Sequence, residues 1–380
     1  MPATTNQRYL ALDVFRGITI CFMIIVNTSG GSPTFAPLEH AKWNGFTPTD
    51  LVFPSFVFVV GNAMSFVMAK WSTLKTSEVL MKIFKRTFII FLLGYLMYWF
   101  PFVKADDAGN VIAAPFSGTR VFGVLQRIAL VYGISSLMIY FWGIRTTLII
   151  TIIILIIYWP VMMYFGDGTD PLSLQTNAVL KLDTWLFGPD HLYHGERVDG
   201  TPFAFDPEGF LSTFPAIGNC VAGYVVGKFV QQKGKTYEGL TKILLYGFLL
   251  LVVAHFWNYL FPINKKLWTS SFVLHTTALD CMLIALVIYL IDFANKTRWT
   301  RFFQVFGKNP LPIYLFSELF VIVLLIIPVG DTSLFAWSYQ NIFQEILPDY
   351  FSALAFAICY MLICWSVGYF LDKKKIYIKV

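Results

Sequence analysis

Long apolar segments recur along the whole chain and constrain its fold more than any other feature of the sequence. About ten of them approach or exceed the 18 residues that an α-helix needs to cross a bilayer. They span 10–28, 51–69, 86–103, 120–142, 146–165, 208–230, 241–261, 272–292, 303–328 and 351–372. Charged residues make up 13% of the chain, against roughly 25% in soluble domains. The sequence therefore predicts an all-α polytopic membrane protein with about ten transmembrane helices, in which residues 1–380 form a single transmembrane domain.

Basic residues are distributed unevenly between the two sets of alternate loops. The set that begins with the N-terminus holds most of the Lys and Arg residues, including Lys85 and Arg86 at the start of the third segment. The other set holds few, and the loop 329–350 holds none. Because Lys and Arg concentrate on the cytoplasmic side of a membrane, both termini are predicted to be cytoplasmic. The loops 28–50 and 166–207 then face outward.

A polar loop rich in Gly, Pro, Ser and Thr separates the first two apolar segments and carries His40, one of five histidines. Histidine titrates near neutral pH and suits proton transfer. Asn27, where the first segment ends, can donate a hydrogen bond to a developing oxyanion. Asp50 or Glu39 could orient the imidazole. These residues are the parts needed for acyl transfer, and the alternative is that His40 is an ordinary surface-loop histidine.

Charged side chains inside apolar segments are costly to bury and are therefore candidates for function. Arg120 and Arg127 are seven residues apart and share a helix face, which would suit a phosphate or carboxylate ligand. The alternatives are snorkelling of Arg120 to the interface and, for Arg16, a helix-end ion pair with Asp13. Asp280 could simply neutralise one of these cations, since buried charges are usually paired. The other polar candidates within these segments are Gln126, Lys308, Asn309 and Glu318.

The loop 166–207 contains a histidine pair, His191 and His194, with Asp190 and Glu196 beside it. An HxxH spacing in a loop is a weak metal signal, and no metal is expected. The two histidines are instead candidates for contact with a substrate, and solvated surface is the alternative.

Several functional classes find no support in the sequence. No segment has the glycine pattern of a P-loop or of a dinucleotide-binding turn, and neither GxSxG nor HExxH occurs. The five cysteines lie in apolar segments without CxxC spacing, which favours buried thiols over disulfides or metal ligands. The net charge of +6 comes mainly from basic loops and fits membrane topology. Nucleic-acid binding is therefore not expected.

Five motifs, in order along the chain, resemble those of one known family. The first two are RYLALDVFRGITICFMIIVN and HAKWNGFTPTDLVFPSFVFVVGNA. The later ones are GVLQRIALVYG, FDPEGFLSTFPAIGNCVAGYVVGK and FGKNPLPIYLFSE. Together they are similar to the heparan-α-glucosaminide N-acetyltransferase family and its bacterial relatives. The resemblance runs from Arg8 to about Lys375, which is nearly the whole chain.

The resemblance implies a transmembrane acetyltransferase that takes acetyl-CoA from the cytoplasm and acetylates an amino sugar on the outer side. The catalytic histidine and the partner asparagine of the family correspond to His40 and Asn27. Acceptor contacts are expected from Asp50, Trp43, Asn44, Glu208, His191 and His194. Contacts with CoA are expected from Arg16, Gln126, Arg127, Lys308 and Arg120, of which Arg120 is the least suited to the distal phosphates. The expected setting is a bacterial inner membrane, with a glucosamine-like acceptor.

Other functions stay open on the sequence alone. The polar in-segment residues could line the path of an amino-sugar transporter, with His40 at its outer gate. An O-acyltransferase that modifies a cell-surface glycan is a further alternative. Acetyl transfer could proceed directly in a ternary complex or in two steps through an acetylated His40. Besides the bilayer and the two substrates, a second copy of the chain is an open possibility as a partner.

Overall fold

The computed structural model describes residues 9–105 and 110–378, and α-helices dominate it. The helices are α1 Leu10–Asn27, α2 Val52–Met68, α3 Thr76–Trp99, α4 Val124–Phe165, α5 Ala178–Phe187, α6 Phe210–Lys233, α7 Tyr237–Asn258, α8 Ser270–Ile288, α9 Thr300–Lys308, α10 Pro310–Ile326, α11 Leu334–Ser338 and α12 Asp349–Lys373. Arg8, the first residue of the first family-like motif, lies outside the described residues.

Three small antiparallel hairpins lie in the connections between helices. They pair β1 Val103–Ala105 with β2 Val111–Ala113, β3 Glu196–Val198 with β4 Thr201–Phe203, and β5 Pro328–Val329 with β6 Thr332–Ser333. The sequence-based interpretation contains none of them. Strands of two or three residues are too short to produce a recognisable alternation of apolar and polar side chains.

Seven helices of the described chain are long and apolar enough to cross a membrane. An eighth span results if α9 and α10, which meet at an angle of 83°, are taken together. In this count α4 appears once, although it contains the fourth and fifth predicted segments. The third predicted segment, 86–103, overlaps α3, which begins ten residues earlier and has Lys82, Lys85 and Arg86 in its first half. The expected all-α membrane architecture is thus confirmed, and the expected number of spans is confirmed only in part.

Gly143 divides the 42 residues of α4 into two halves that run in opposite directions. Its φ of 69° is a left-handed conformation that glycine adopts without strain. Arg127, near the start of α4, donates to Ser212, while Leu155, in its second half, packs against Gly218. Both contacts fall in the first turns of α6, so the chain reverses at Gly143. A continuous helix of this length would extend about 63 Å, twice the thickness of a bilayer core.

Two glycines allow α2 and α6 to pack backbone against backbone. A Cβ atom at Gly61 would collide with the carbonyl group of Cys220, and one at Gly223 would collide with that of Phe58. Small residues permit such close approach of helices in membranes. Gln231, late in α6, donates to Ser65, late in α2, at 2.7 Å, so the two helices run parallel and α2 begins beside the first half of α6. This packing fixes the position of the short 3₁₀ turn Pro48–Leu51 that precedes α2.

The helix bundle has two chemically distinct ends. One, called the His40 end below, gathers the loop 28–47, α5, the β3–β4 hairpin and the α7–α8 connection. The opposite end contains the starts of α1 and α3 and the break between α9 and α10 at Asn309. There the Asn309 side chain donates to the carbonyl of Ile376 at 2.9 Å and accepts from the backbone N–H of Ile378 at 3.1 Å. These two bonds fasten the segment after α12 to the α9–α10 break.

Candidate active site

His40 lies in the loop before α2, beside a buried carboxylate. Its Nδ1 is 2.7 Å from Oδ1 of Asp50. The Asp50 side chain is 1% exposed, whereas that of His40 is 48% exposed. Nδ1 lies closer to Asp50, at 2.7 Å, than to the ammonium group of Lys265, at 3.1 Å. Because an ionised carboxylate can only accept hydrogen bonds, the shorter contact assigns the hydrogen to Nδ1 and leaves the Nε2 lone pair free in the neutral ring. This is the tautomer that a histidine needs in order to act as a general base.

The neighbouring acid in sequence, Glu39, makes a different contact. It accepts a hydrogen bond from the hydroxyl group of Thr34 at 2.8 Å. Of the two carboxylates that could orient the imidazole, the structure therefore brings Asp50 to His40. Asp50 is thereby placed behind the histidine ring, where it supports the base.

The second oxygen of Asp50 is held by the backbone of its own loop. Oδ2 accepts from the N–H groups of Ala41 at 3.0 Å and Thr47 at 3.1 Å, and from the Thr47 hydroxyl at 3.0 Å. Thr47 and Asp50 form a capping box at the start of the 3₁₀ turn, an arrangement that satisfies free backbone donors. The carboxylate is therefore fixed before any substrate arrives.

The His40 loop is also fastened to the connection between α7 and α8. The side chain of Asn264 donates to Oδ1 of Asn44 at 3.1 Å, and the backbone N–H of Gly45 donates to the carbonyl of Ile263 at 2.8 Å. Gly45 has a φ of 112°, which favours glycine at this position. Asn44, predicted to contact the acceptor, thus helps to hold the loop in place, and its acceptor contact stays a prediction.

Trp43 links the same loop to the segment before α5. Its Nε1 donates to the carbonyl of Leu172 at 2.9 Å, and its ring packs edge-on against Phe205 at 5.7 Å. The indole is partly buried. These contacts explain why a large aromatic residue occupies the position, and the expected contact of Trp43 with an acceptor stays a prediction.

Lys265, in the α7–α8 connection, is a third charged group at this site and is absent from the sequence-based candidates. Its Nζ is 3.1 Å from Nδ1 of His40 and 3.5 Å from Oδ1 of Asp50. Burial lowers the pKa of Lys265, while the charges of Asp50 and Glu208 act in the opposite direction. Because 225 residues separate Lys265 from His40, no local motif could have revealed the contact.

Asn27 is the last residue of α1, and its side-chain amide donates to Oε1 of Glu318 on α10 at 3.3 Å. In the part of the chain that the structure describes, no hydrogen bond joins Asn27 to His40. An amide nitrogen has two hydrogens, so one remains for another acceptor. Glu318 thereby becomes a neighbour of a predicted catalytic residue.

Arg120 is bound by acidic and aromatic side chains of the protein. Its Nε and Nη2 atoms are 2.8 and 2.7 Å from the two carboxylate oxygens of Asp206, and Nη2 is 2.6 Å from Glu208. The rings of Tyr98 and Tyr193 lie 4.9 and 4.7 Å from the guanidinium carbon. Although burial opposes it, the Arg120 charge lowers the pKa of Glu208. This geometry fits a residue that anchors the segment before α6 better than one that contacts CoA. The expected contact of Arg120 with CoA stays a prediction.

The chain was compared with known proteins on the basis of its sequence. Residues 8–255 match the heparan-alpha-glucosaminide N-acetyltransferase, catalytic, family. The chain belongs to this family. The matched region includes Asn27, His40 and Asp50, whereas Lys265 and Lys308 lie beyond it.

Two relatives show how far the similarity extends. The chain is 27% identical to heparan-alpha-glucosaminide N-acetyltransferase of Mus musculus over 368 residues, which cover 83% of this chain and 54% of the mouse protein. It is 26% identical to heparan-alpha-glucosaminide N-acetyltransferase of Homo sapiens over 364 residues, which cover 82% and 53%. The chain thus spans about half the length of the curated relatives it matches.

Within this family domain, Arg127 and Gln126 have polar atoms that lack partners. Arg127 is fully buried; its Nη2 donates to the carbonyl of Gly209 and to the hydroxyl of Ser212, and its guanidinium carbon lies 4.7 Å from the Trp268 ring. Its Nε and Nη1, and both side-chain amide atoms of Gln126, are buried without a hydrogen bond to any residue that the structure describes. Unmet buried donors are costly. The arrangement is compatible with the predicted contact of these residues with a polar ligand.

His191 and His194 lie in different surroundings. Nδ1 of His191 is 2.8 Å from the carbonyl of Thr119, and the His191 carbonyl accepts from Val121 at 3.1 Å, so this histidine supports the segment that carries Arg120. His194 is exposed. Residues 9–105 and 110–378 contain no cluster of three or more His, Cys, Asp or Glu side chains that could hold a metal ion. Acceptor contacts of the two histidines stay predictions.

Asp280 does not neutralise an in-segment cation, and this expectation is wrong. Its Oδ1 is 2.5 Å from the hydroxyl of Ser55 on α2, and its Oδ2 is buried without a partner. No ion pair of Asp280 occurs among the described residues. The cations that the sequence placed in the same segments are instead bound by other groups or line a cavity.

That cavity extends from the opposite end of the bundle towards the first turns of α2 and α4, where Phe56 and Leu125 line it, and has a volume of about 440 Å³. Arg16, Arg86 and Lys308 line it together with mostly apolar residues of α2, α3 and α4. Volumes of this size are typical of small-molecule sites. Arg16 and Lys308 were expected to contact CoA. Arg86 is absent from that prediction, because a basic residue at the start of an apolar segment is first taken as a marker of topology.

The three cations of the cavity differ in their partners. Arg16 donates to the carbonyl of Gly307 at 3.2 Å and lies 3.5 Å from Oδ1 of Asp13, the ion pair considered as an alternative from the sequence. Lys308 is 2.8 Å from both carboxylate oxygens of Asp372. The guanidinium carbon of Arg86 lies 4.5 Å from the ring of Tyr132, and its Nε is buried without a hydrogen bond. Among the described residues no carboxylate pairs with Arg86. It is therefore the cation with most capacity to bind an anionic ligand.

The buried carboxyl group of Asp183 on α5 makes the stability of the His40 end depend on pH. Its Oδ1 accepts from the backbone N–H of Phe210 at 3.0 Å, and its Oδ2 is buried without a hydrogen bond within residues 9–105 and 110–378. Burial raises the pKa of Asp183 to about 7. Between its ordinary value near 3.8 and about 7, the folded state binds a proton that the unfolded state has lost, so stability falls as pH rises through this window.

Replacement of Asp183 by Asn should remove that pH dependence, because the amide keeps an acceptor for Phe210 without a charge. We expect the variant to gain stability over the natural chain as pH rises from 5 to 8, on the order of 2–4 kcal/mol. Thermal unfolding in detergent at several pH values measures the difference. A constant difference in Tm across this range would contradict the assignment.

Proposed function

We propose that this chain transfers an acetyl group from acetyl-CoA to the amine of an amino sugar. The observation that carries the proposal is the contact of 2.7 Å between Nδ1 of His40 and the buried Asp50 carboxylate, in a loop otherwise held rigid. Membership of the acetyltransferase family supports the same chemistry. The acceptor is a glucosamine-like amine on the outer side of a bacterial inner membrane, and both chain termini are cytoplasmic.

In the proposed reaction, His40 acts as the base. Its Nε2 removes a proton from the acceptor amine, while Asp50 holds the ring in the correct tautomer and stabilises the imidazolium that forms. The free N–H of Asn27 donates to the carbonyl oxygen as negative charge develops there. Bound acetyl-CoA supplies a thioester, whose C–S bond breaks as the N–C bond to the amine forms and whose thiolate takes up the proton. Direct attack and an acetylated His40 are both compatible with this geometry.

The cavity at the opposite end suits the anionic portion of acetyl-CoA. CoA carries several phosphate charges, and Arg16, Arg86 and Lys308 are three cations around one space. The buried Nε of Arg86 has no hydrogen-bond partner among the described residues, which is an observation in favour of an anionic ligand there. Arginine binds phosphate groups in a bidentate manner. We therefore propose that these three residues hold CoA phosphates on the cytoplasmic side.

Purified protein in lipid vesicles with radiolabelled acetyl-CoA and glucosamine tests the proposed activity. We expect label to appear in N-acetylglucosamine. Uptake of labelled glucosamine into vesicles that lack acetyl-CoA, with no acetylated product in its presence, would overturn the enzyme and favour a transporter. An acceptor screen with sugar hydroxyl groups tests the O-acyltransferase alternative.

Replacement of Arg86 by Met should weaken binding of acetyl-CoA with little effect on the chemical step. A charge-assisted hydrogen bond to a phosphate is worth about 1.5–3 kcal/mol, so we expect KM for acetyl-CoA to rise about tenfold or more at similar kcat. Arg145→Met is the matched control, since Arg145 is an exposed arginine of α4 near Gly143. An unchanged KM in Arg86→Met would remove Arg86 from the proposed site.

A further inference from the structure

Lys265 reaches the catalytic pair from a connection that is itself rigid. Asn264 is fully buried; its backbone N–H donates to Thr269 at 3.1 Å, and its side chain accepts from Leu267 at 2.8 Å. The carbonyl of Lys265 accepts from the backbone N–H of Trp268 at 3.0 Å. Together with the bonds from Asn264 and Ile263 to the His40 loop, these contacts fix the backbone from which the Lys265 side chain extends.

The position of the ammonium group is specific. Nζ of Lys265 is 3.1 Å from Nδ1 of His40 and 3.5 Å from Oδ1 of Asp50. Both nitrogens therefore face the same carboxylate oxygen, and the lysine side chain is only 17% exposed. The next residue behaves differently: Lys266 binds Glu196 at 2.7 Å. The two adjacent lysines thus have different partners, and of the two it is Lys265 that contacts His40.

The charge of Lys265 has a direct consequence for proton transfer. While His40 is neutral, the negative charge of Asp50 and the positive charge of Lys265 beside it nearly cancel. When Nε2 takes up a proton, the new positive charge of the ring lies close to the ammonium group, and like charges repel. Repulsion of this kind favours release of the proton. A base with a cation at this distance releases its proton more readily than an isolated histidine does.

We propose that Lys265 is a positioning residue of the His40–Asp50 pair, which keeps Asp50 ionised beside the imidazole and promotes release of the proton that His40 collects. Its catalytic role rests on the proposed acetyltransferase function, whereas its electrostatic effect on His40 does not. The other charged groups nearby are Glu208 and Lys266, whose charges act on Lys265.

The test measures the state of His40 directly and does not require turnover. Diethyl pyrocarbonate modifies neutral imidazole, and mass spectrometry of the peptide that contains His40 gives the modification rate at each pH. In Lys265→Met the pH of half-maximal modification should move upward by about one unit, since an adjacent cation has been removed. Lys265→Arg keeps the charge and should keep the midpoint. Lys266→Met is the matched control and should also keep it.

The acetylation assay then distinguishes an electrostatic role of Lys265 from a purely structural one. We expect the acid limb of kcat/KM in Lys265→Met to move in the same direction, with KM for acetyl-CoA unchanged and the profile restored in Lys265→Arg. A lysine that only holds the loop would lower the Tm in both variants and leave both pH midpoints in place, which would overturn the inference. A shifted His40 midpoint in a protein that acetylates no amine would support the electrostatic role and reject the proposed function instead.

Discussion

Replacement of His40 by Gln is expected to lower kcat for acetyl transfer by at least about 10²-fold, the smallest contribution usually made by a general base. Glutamine is similar in size and can still hydrogen-bond to Asp50, but it cannot accept a proton at neutral pH. The loss should be larger if His40 carries the acetyl group between two half-reactions. Initial rates with saturating acetyl-CoA and acceptor measure the effect. KM for acetyl-CoA should change little, since the ring is not part of the cation-lined cavity.

His255→Gln is the matched control for this experiment. His255 is an exposed histidine on α7 whose ring packs against those of Phe256 and Tyr259. Its replacement should leave the rate unchanged. Full acetylation activity in His40→Gln would reject the assigned role of His40, whatever the fate of the rest of the proposal. Labelled acetyl groups found on His40 without an acceptor would establish the two-step route.

The membrane architecture could be read from the sequence because the bilayer imposes it. An apolar helix that crosses lipid must be long and nearly free of charge, so the expected segments 10–28 and 51–69 agree within a few residues with Leu10–Asn27 and Val52–Met68. The segment 86–103 agrees less well with Thr76–Trp99. Its first turns are polar, and apolar content alone cannot distinguish a charged helix start from a loop.

The centre of the candidate site could be located from the sequence only in part. His40 and Asp50 lie ten residues apart, inside one recognisable motif. Lys265 comes from a connection far along the chain, and Arg86 carries the same charge as the basic residues that mark topology. Such contacts depend on which helix ends meet in space, and spacing along the chain has no information about that. Residues of this kind can be identified only from the three-dimensional structure.

Arg120 illustrates a different case, in which the rule points to a residue but not to its partners in the protein. A charged residue at the edge of an apolar segment deserves a functional hypothesis, and the sequence offered CoA as its ligand. In the structure Asp206 and Glu208 already neutralise the guanidinium group. Both acids belong to the motif FDPEGF, which lies far from Arg120 in sequence. Buried charges usually have such partners, and only the fold identifies them.

Replacement of Asp50 by Asn is expected to lower kcat by about 10²- to 10⁴-fold, although Asp50 touches neither substrate in the proposed reaction. The amide oxygen can occupy the position of Oδ2 and accept from Ala41 and Thr47, as the carboxylate does. The amide nitrogen then faces Nδ1 of His40 and donates to it. That contact places the imidazole hydrogen on Nε2, which removes the lone pair that the reaction uses.

The substitution also removes the counter-ion of Lys265, so we expect a loss of stability in addition to the loss of rate. Asp50→Asn should become less stable, whereas Glu39→Gln, which changes the carboxylate next to His40 in sequence, should keep both its rate and its Tm. Rates and thermal unfolding measured on the same preparations separate misfolding from loss of the base. If Asp50→Asn were folded and acetylated its acceptor at the natural rate, the carboxylate would have no part in orienting the imidazole. A combined Asp50→Asn, Lys265→Met chain should regain stability but not rate, because the missing tautomer of His40 cannot be restored by removing the unpaired cation.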